Sequence, residues 1–317
     1  MNNASSADEL FQDELFQPLV RRPEVETAVP VISYRRQAFH KLVRNKLAMT
    51  GLSIIVLLVI MAGIGPHLVP YSYSDQSILE AKQSLSAAHW FGTDDLGRDI
   101  FTRVWYGARV SLAIGFIAAA IDLLIGVLVG GIAGYMAGRG KLGGLIDNLL
   151  MRLIEVLYGL PYLLVVTLLM VVMKPGILSI IVALSATGWV GMARMVRGQL
   201  LQVRNQEYVL AAQVLGATFP RILFRHLLPN VSGVIIVNLT FTIPSAIFAE
   251  SFLSFLGIGV QAPMASWGTM ANEALGVILT GDWWRLFFPA LMISMTMFAF
   301  NVFGDGLQDA LDPQIRR

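Results

Sequence analysis

Six apolar runs, each near the length needed to cross a bilayer, constrain this chain more than any other feature. They fall at Leu47–Gly65, Val110–Met136, Leu149–Met173, Gly176–Met195, Val231–Phe255 and Leu286–Phe303. About twenty such residues, wound as a helix, span a hydrocarbon core. Charged residues make up 14% of the sequence, against roughly 25% in a soluble domain. The expected fold is an all-α integral membrane protein with six transmembrane helices.

The positions of Lys and Arg predict how it is oriented. With the amino terminus inside, seventeen of the 23 basic residues fall on the cytoplasmic side, and six (Lys82, Arg98, Arg103, Arg109, Lys174 and Arg285) fall outside. Basic residues favour the cytoplasmic side, so both termini and the polar stretch 199–230 are expected there. No removable signal peptide is expected, because the first thirty residues lack a basic start followed by an apolar run. Residues 1–30 read instead as a flexible cytoplasmic tail, with a direct repeat from Asp8 to Gln12 and again from Asp13 to Gln17. A basic segment from Arg35 to Lys46 then precedes the first span and is expected to lie against anionic headgroups. The division is 31–108 for this segment, the first helix and an outer loop, 109–309 for a five-helix core, and 310–317 for a cytoplasmic end.

The outer loop from Pro66 to Ala108 ends in Phe91-Gly92-Thr93-Asp94-Asp95-Leu96-Gly97-Arg98-Asp99. Its aspartates lack the spacing of a calcium loop. Thr93 or Asp94 is expected to cap a short helix, with Ile100, Phe101, Val104 and Trp105 facing the outer interface. In the second span Gly126, Gly130, Gly134 and Gly138 recur every four residues, continuing a stripe from Ala118 and Asp122. Such a flat face lets another helix approach closely. Asp122 and Glu250 are acidic groups at membrane depth, where ionisable residues mark pathways or polar contacts. Both are candidates for the translocation pathway; the alternative is a carboxyl hydrogen-bonded at a helix contact.

Catalytic chemistry is hard to place. Gly140-Lys141 is followed by Leu142 and lacks the earlier glycine of a phosphate loop. The four histidines (His40, His67, His89, His226) are scattered, there is no cysteine, and no Gly-x-Ser-x-Gly run occurs. No catalytic residue, metal site or cofactor in this chain is expected, and no nucleic-acid partner. Transport remains. In the 199–230 stretch, Glu207 to Leu215 reads as one helix, Gly216 to Phe219 as a break, and Arg221 to Leu228 as a second helix ended by Pro229. Ala211, Ala212 and Ala217 keep the corner slim, so it can enter a groove on another protein and act as a lever on two spans.

Ala211-Ala212, Gly216 and Leu228-Pro229 resemble the coupling loop of ATP-binding-cassette importer permeases, with Leu210 where that family has Glu and Glu207 one turn earlier. Further strings resemble the second permease of oligopeptide and dipeptide importers. They are Phe91–Asp94 with Gly97–Asp99, Ser251–Gly257, Ser266-Trp267-Gly268, and Gly304–Leu307 with Asp309–Pro313. The resemblance implies a type I importer permease fold in a bacterial inner membrane. It implies a homologous permease partner and two ATPase subunits holding ATP and Mg. It also implies an extracytoplasmic binding protein delivering peptide. The coupling residues it implies are Glu207, Ala211, Ala212, Gly216, Ala217, Arg221 and Pro229. The outer loops 66–108 and 257–284 would meet the binding protein, and Trp267, Trp283 and Trp284 would serve there or as interfacial anchors. Dipeptide, nickel and antimicrobial-peptide importers are alternatives within the family. A proton-coupled secondary transporter is the alternative outside it.

Overall fold

The computed structural model describes residues 34–312. The expected tail at 1–30, with its repeat, and the last five residues lie outside the described residues. Among the described residues, those from Ala38 onward form one compact unit that holds every candidate span. In chain order the helices are α1 (Tyr34–Arg44), α2 (Lys46–Ile64), α3 (Ile100–Met136), α4 (Gly140–Gly159), α5 (Tyr162–Met173), α6 (Ile177–Val203), α7 (Glu207–Val214), α8 (Phe219–Phe255), α9 (Trp267–Glu273) and α10 (Trp284–Leu311). Among the described residues there is no strand, only an isolated bridge between Thr93 and Asp99.

Five of these helices, α2, α3, α6, α8 and α10, are each long and apolar enough to cross a membrane. The third expected span is not one helix: α4 and α5 meet at 86°. The cause is local. Pro161 has no N–H to continue the ladder, and it pushes Leu160 into extended backbone (φ −79°, ψ 136°). The contacts of the two halves still climb the bundle in order. Asp147 of α4 pairs with Arg197, and Ile154 clusters with Trp189, Val190 and Ala193. Val166 and Met170 of α5 then cluster with Leu184 and Ile180. Counted as one broken span, the pair raises the number of segments able to cross a membrane from five to six. Lys41 Nζ donates to the carbonyl of Asp309, so both described ends meet at the same end of the bundle.

Other boundaries move as well. α3 begins at Ile100, ten residues before the expected span, so the division at 108/109 falls inside a helix. Its cap is Asp99, whose carboxylate accepts from Thr102 N at 2.7 Å, rather than Thr93 or Asp94. Asp94 is engaged elsewhere: it accepts from Arg98 Nε at 2.6 Å and from Arg103. Glu273 on α9 accepts from the same two arginines, both at 2.7 Å. This ionic cluster draws the start of α3 inward. Ile100, Phe101, Val104 and Trp105 are accordingly buried in the core instead of facing the outer interface. Trp267 is also core, 0% exposed, with its indole N–H donated to Val104 O at 3.0 Å. Trp284 is buried, while Trp283 keeps the exposure expected of an anchor.

The glycine stripe finds its partner within the chain. A Cβ at Gly126 would lie 2.6 Å from Met192 Cβ, one at Gly130 2.3 Å from Ala193 O, and one at Gly134 2.9 Å from Leu200 Cβ. All three neighbours are on α6, so α3 and α6 touch nearly backbone to backbone. Gly138 is not part of this face. It lies beyond the end of α3 in the turn to α4.

Candidate functional site: a helical corner beyond the bundle

The corner grows directly out of α6, which runs past its expected end at Met195 to Val203. Arg204 then turns back, its Nη1 donating to Gly134 O at 3.3 Å and to Ala137 O. Those carbonyls belong to the end of α3, where helical acceptors are otherwise left open. α7 starts at Glu207, an acidic residue in the first turn where the helix dipole favours it. It stops at Gly216, whose φ of +78° only glycine adopts without strain. Ala217 N closes the turn on Ala212 O at 3.0 Å.

The second half departs from expectation. Pro229 does not end a short helix; Phe219 to Phe255 is one continuous helix that includes the fifth span. Residues Ile222–Leu227 widen into a π-turn, with Leu228 N bonded to Leu223 O. A π-turn shifts the bonding register, which accommodates the proline that follows. Asn230 Nδ2 takes up His226 O at 2.6 Å.

One side of the corner is fastened to the bundle. Val209 of α7, with Ile222, Leu223 and Leu227 of α8, packs against Val196 and Leu200 of α6 and Tyr135 of α3. The rings of Tyr135 and Phe219 stand 4.6 Å apart. The opposite side is bare: Val214 is 88% exposed and Leu215 86%, with Leu210 and Tyr208 exposed beside them. Of the residues expected here, Glu207, Ala211, Gly216, Arg221 and Pro229 are exposed, Ala217 is half-buried and Ala212 is buried. Val214 and Leu215 were missed. Two adjacent aliphatics before a glycine in a polar stretch were the signal.

The two carboxylates at membrane depth are placed very differently from each other. Asp122 is 5% exposed and lies against Gly188, where an added Cβ would meet Asp122 Oδ2 at 2.2 Å. Its Oδ1 has no hydrogen-bond partner. Glu250 is 0% exposed and accepts from Ser254 Oγ at 2.8 Å, Ser111 Oγ at 2.9 Å and Ser251 Oγ at 3.3 Å. Ser111 in turn accepts from Trp267 N at 3.3 Å, so the carboxylate ties α3, α8 and α9 together. Glu250 is thus enclosed inside the chain and is not on a cavity wall. Glu250→Ala is expected to lower stability by about 2–4 kcal/mol, combining a cavity with stranded hydroxyls. Glu250→Gln keeps an acceptor and should stay within about 1 kcal/mol of the parent, with uptake retained. Thermal melting of the purified protein decides it; an unchanged midpoint for Glu250→Ala would refute the assignment.

A helical corner carried by two long apolar helices, in a bundle with three more such helices and one bent pair, has counterparts among known proteins. The family described as "Binding-protein-dependent transport system inner membrane component" matches residues 126–317, which hold α4 to α10 and the corner. The chain belongs to that family. The N-terminal TM domain of oligopeptide transport permease C matches residues 33–86 of the permease. Dipeptide transport system permease protein DppC of Bacillus subtilis (strain 168) is 63% identical over 288 residues, covering 91% of the permease and 88% of that protein. Oligopeptide transport system permease protein OppC of the same organism is 54% identical over 286 residues, covering 90% and 92%. Among solved structures, a chain of the MetNI methionine ABC transporter, in inward-facing conformations, superposes with a TM-score of 0.53 at 17% identity. It covers 65% of the permease and 94% of that chain, and it shows a shared fold.

Proposed function

We propose that this permease is a membrane subunit of an ATP-binding-cassette importer that brings peptides into the cytoplasm. A homologous permease completes the channel, two ATPase subunits bind ATP and Mg, and an extracytoplasmic binding protein delivers the substrate. Both termini and the corner are then cytoplasmic, in a bacterial inner membrane. The observation that carries this reading is the corner itself, with apolar side chains bared on one side and fastened on the other. Exposed Val214 and Leu215 suit an apolar groove on an ATPase. The floor of Val209, Ile222 and Leu223 means that α7 cannot move without α6 and α8. Close-packed contacts of this kind transmit displacement, so closure of the ATPases would tilt the spans and open the channel alternately to either side.

Leu215→Glu tests it. A charge in a docking groove is expected to cost about 2–4 kcal/mol of association, so ATPase subunits should be lost on purification and ATP-driven uptake should fall to background. Full uptake with bound ATPases would overturn the reading. Uptake by the parent that survives ATP depletion and stops with an uncoupler would instead support a proton-coupled transporter. Within the importer reading, the higher identity to the dipeptide permease favours dipeptides as a second reading over longer peptides. Competition between the two sizes for labelled uptake decides between them.

A further inference from the structure

α1 has no part in the corner, and its composition is one-sided. Between Tyr34 and Ser74 the sequence holds five lysines and arginines and no acidic residue. The root of the helix is fixed to the bundle. Asn45, in extended backbone (φ −77°, ψ 100°), separates α1 from α2 and caps α2, its Oδ1 accepting from Ala48 N at 3.2 Å. The end of α10 grips this junction: a Cβ at Gly306 would lie 2.3 Å from Ala48 Cβ and 3.1 Å from Asn45 Nδ2. Lys41 is spent on the same contact, donating to Asp309 O.

From Ala38 onward α1 shows three sectors. Ala38 is buried and Leu42 half-buried. Phe39 and Val43 are apolar yet 63% and 46% exposed. His40 and Arg44 are exposed donors. At 100° per residue each of these pairs centres about 100° from the one before it. Just past Asn45, Lys46 and Leu47 are exposed and repeat the two outer types. Leu47 also opens the exposed apolar side of α2, which continues through Val56, Leu57, Ile60 and Ile64. α2 is long and apolar enough to cross a membrane, so α1 stands where that span would meet the headgroups. Water does not suit the sector of Phe39 and Val43, and hydrocarbon does not suit that of His40 and Arg44. A bilayer interface suits both, with apolar side chains in the acyl boundary and basic ones among headgroups. The sign of the charge selects the headgroup. Arg44 and Lys46 enter no ion pair among the described residues, and the next acidic residue along the chain, Asp75, lies beyond the far end of α2.

We infer that α1 is a binding site for anionic phospholipid, with Phe39 and Val43 in the acyl boundary and His40, Arg44 and Lys46 on headgroup phosphates. The inference goes beyond the importer reading and needs only that α2 crosses a bilayer. Each lysine or arginine beside a membrane favours an anionic over a neutral surface by about fivefold, so Arg44 and Lys46 together supply a preference of about 25-fold.

The chain has no cysteine, so Val43→Cys can carry one fluorophore on this subunit of the purified complex, with the unmutated complex labelled in parallel as background. The vesicles are phosphatidylglycerol and phosphatidylcholine in equal parts, with the acyl chains of one lipid or the other brominated. Bromine quenches only a fluorophore it touches, so the two mixtures report which lipid lies against α1. Strong quenching is expected, with phosphatidylglycerol preferred by about 25-fold. Arg44→Gln combined with Lys46→Gln should bring the preference close to parity at an unchanged thermal midpoint, since neither side chain has an ion pair to lose. Salt at about 1 M, which shortens the screening length from about 10 Å to about 3 Å, should do the same with both charges in place. That measurement decides the matter even where the double variant fails to assemble. Absence of quenching by either lipid would overturn the inference and place the sector in water or beneath another protein. Equal quenching by the two lipids, or a preference that survives the salt or the charge removal, would overturn it as well.

Discussion

Asp94→Ala is expected to prevent a stable permease from accumulating, with a loss of about 3–5 kcal/mol where a buried charge is left without its partner. Asp94 is 5% exposed, and its two oxygens accept four hydrogen bonds. Two come from backbone, Leu96 N at 2.9 Å and Arg98 N at 3.0 Å, and two from the guanidinium groups of Arg98 and Arg103. Arg103 is 2% exposed and Arg98 7%. Without Asp94 both would depend on Glu273, whose side chain is 33% exposed. The loss approaches the whole stability of an ordinary domain, about 5–15 kcal/mol. It would also release three elements at once, because the cluster joins the 65–99 segment, the start of α3 and α9. The comparison is Asp95→Asn. Burial alone would raise the Asp95 carboxyl, but hydrogen bonds and charge from Arg285, then Lys82, hold it below the usual range. Its side chain is 48% exposed, so water screens the pair and the expected cost is below about 1 kcal/mol. Yield and thermal midpoint of the purified complex measure both. An Asp94→Ala protein that melts like its parent would sink the account of this cluster.

What could be read from the sequence, and what could not, divides along physical lines. Span count follows from long apolar runs, and five long apolar helices and one bent pair are found. Helix ends were less legible, because apolar periodicity says where lipid begins and not where the helix stops. α3, α6 and α8 all continue beyond their apolar windows, α6 and α8 forming the walls of the corner. Pro161 and Pro229 show why a motif needs its context. Both remove a donor, yet one bends a span by 86° while the other sits in a helix that absorbs it through a π-turn. The aspartates near Arg98 gave a wrong cap, since Asp94 is taken up by Arg98 and Arg103, whose other acceptor, Glu273, lies 175 residues away from Arg98. Glu250 attracted attention as an acid at membrane depth. Three serines from two helices answer it, a satisfaction that is invisible until α3 and α8 are packed together.

Gly130→Leu is the second large effect, and it isolates the contact between α3 and α6. An added Cβ at Gly130 would stand 2.3 Å from Ala193 O and 3.0 Å from Ala193 Cα. These are backbone atoms in the middle of α6, so no rotamer change relieves the overlap. The two helices must separate, and separation undoes their neighbours too. Gly126 meets Met192 and Trp189 O, and Gly134 meets Leu200 and Arg197 O, all on the same line. Ordinary overpacking costs about 1–3 kcal/mol; a rigid backbone obstacle along a shared seam should exceed about 3 kcal/mol. Because α6 also carries Arg204 and the floor beneath α7, a shifted α6 would misplace the corner even where some folded protein survives. Gly63→Leu is the matched control, since a Cβ there meets nothing within 4 Å on the exposed side of α2. The expected outcome is an intact complex for Gly63→Leu and, for Gly130→Leu, either no complex or one with a sharply lowered midpoint and no ATP-coupled uptake. Equal midpoints for the two variants would mean that α3 and α6 are not held at backbone contact.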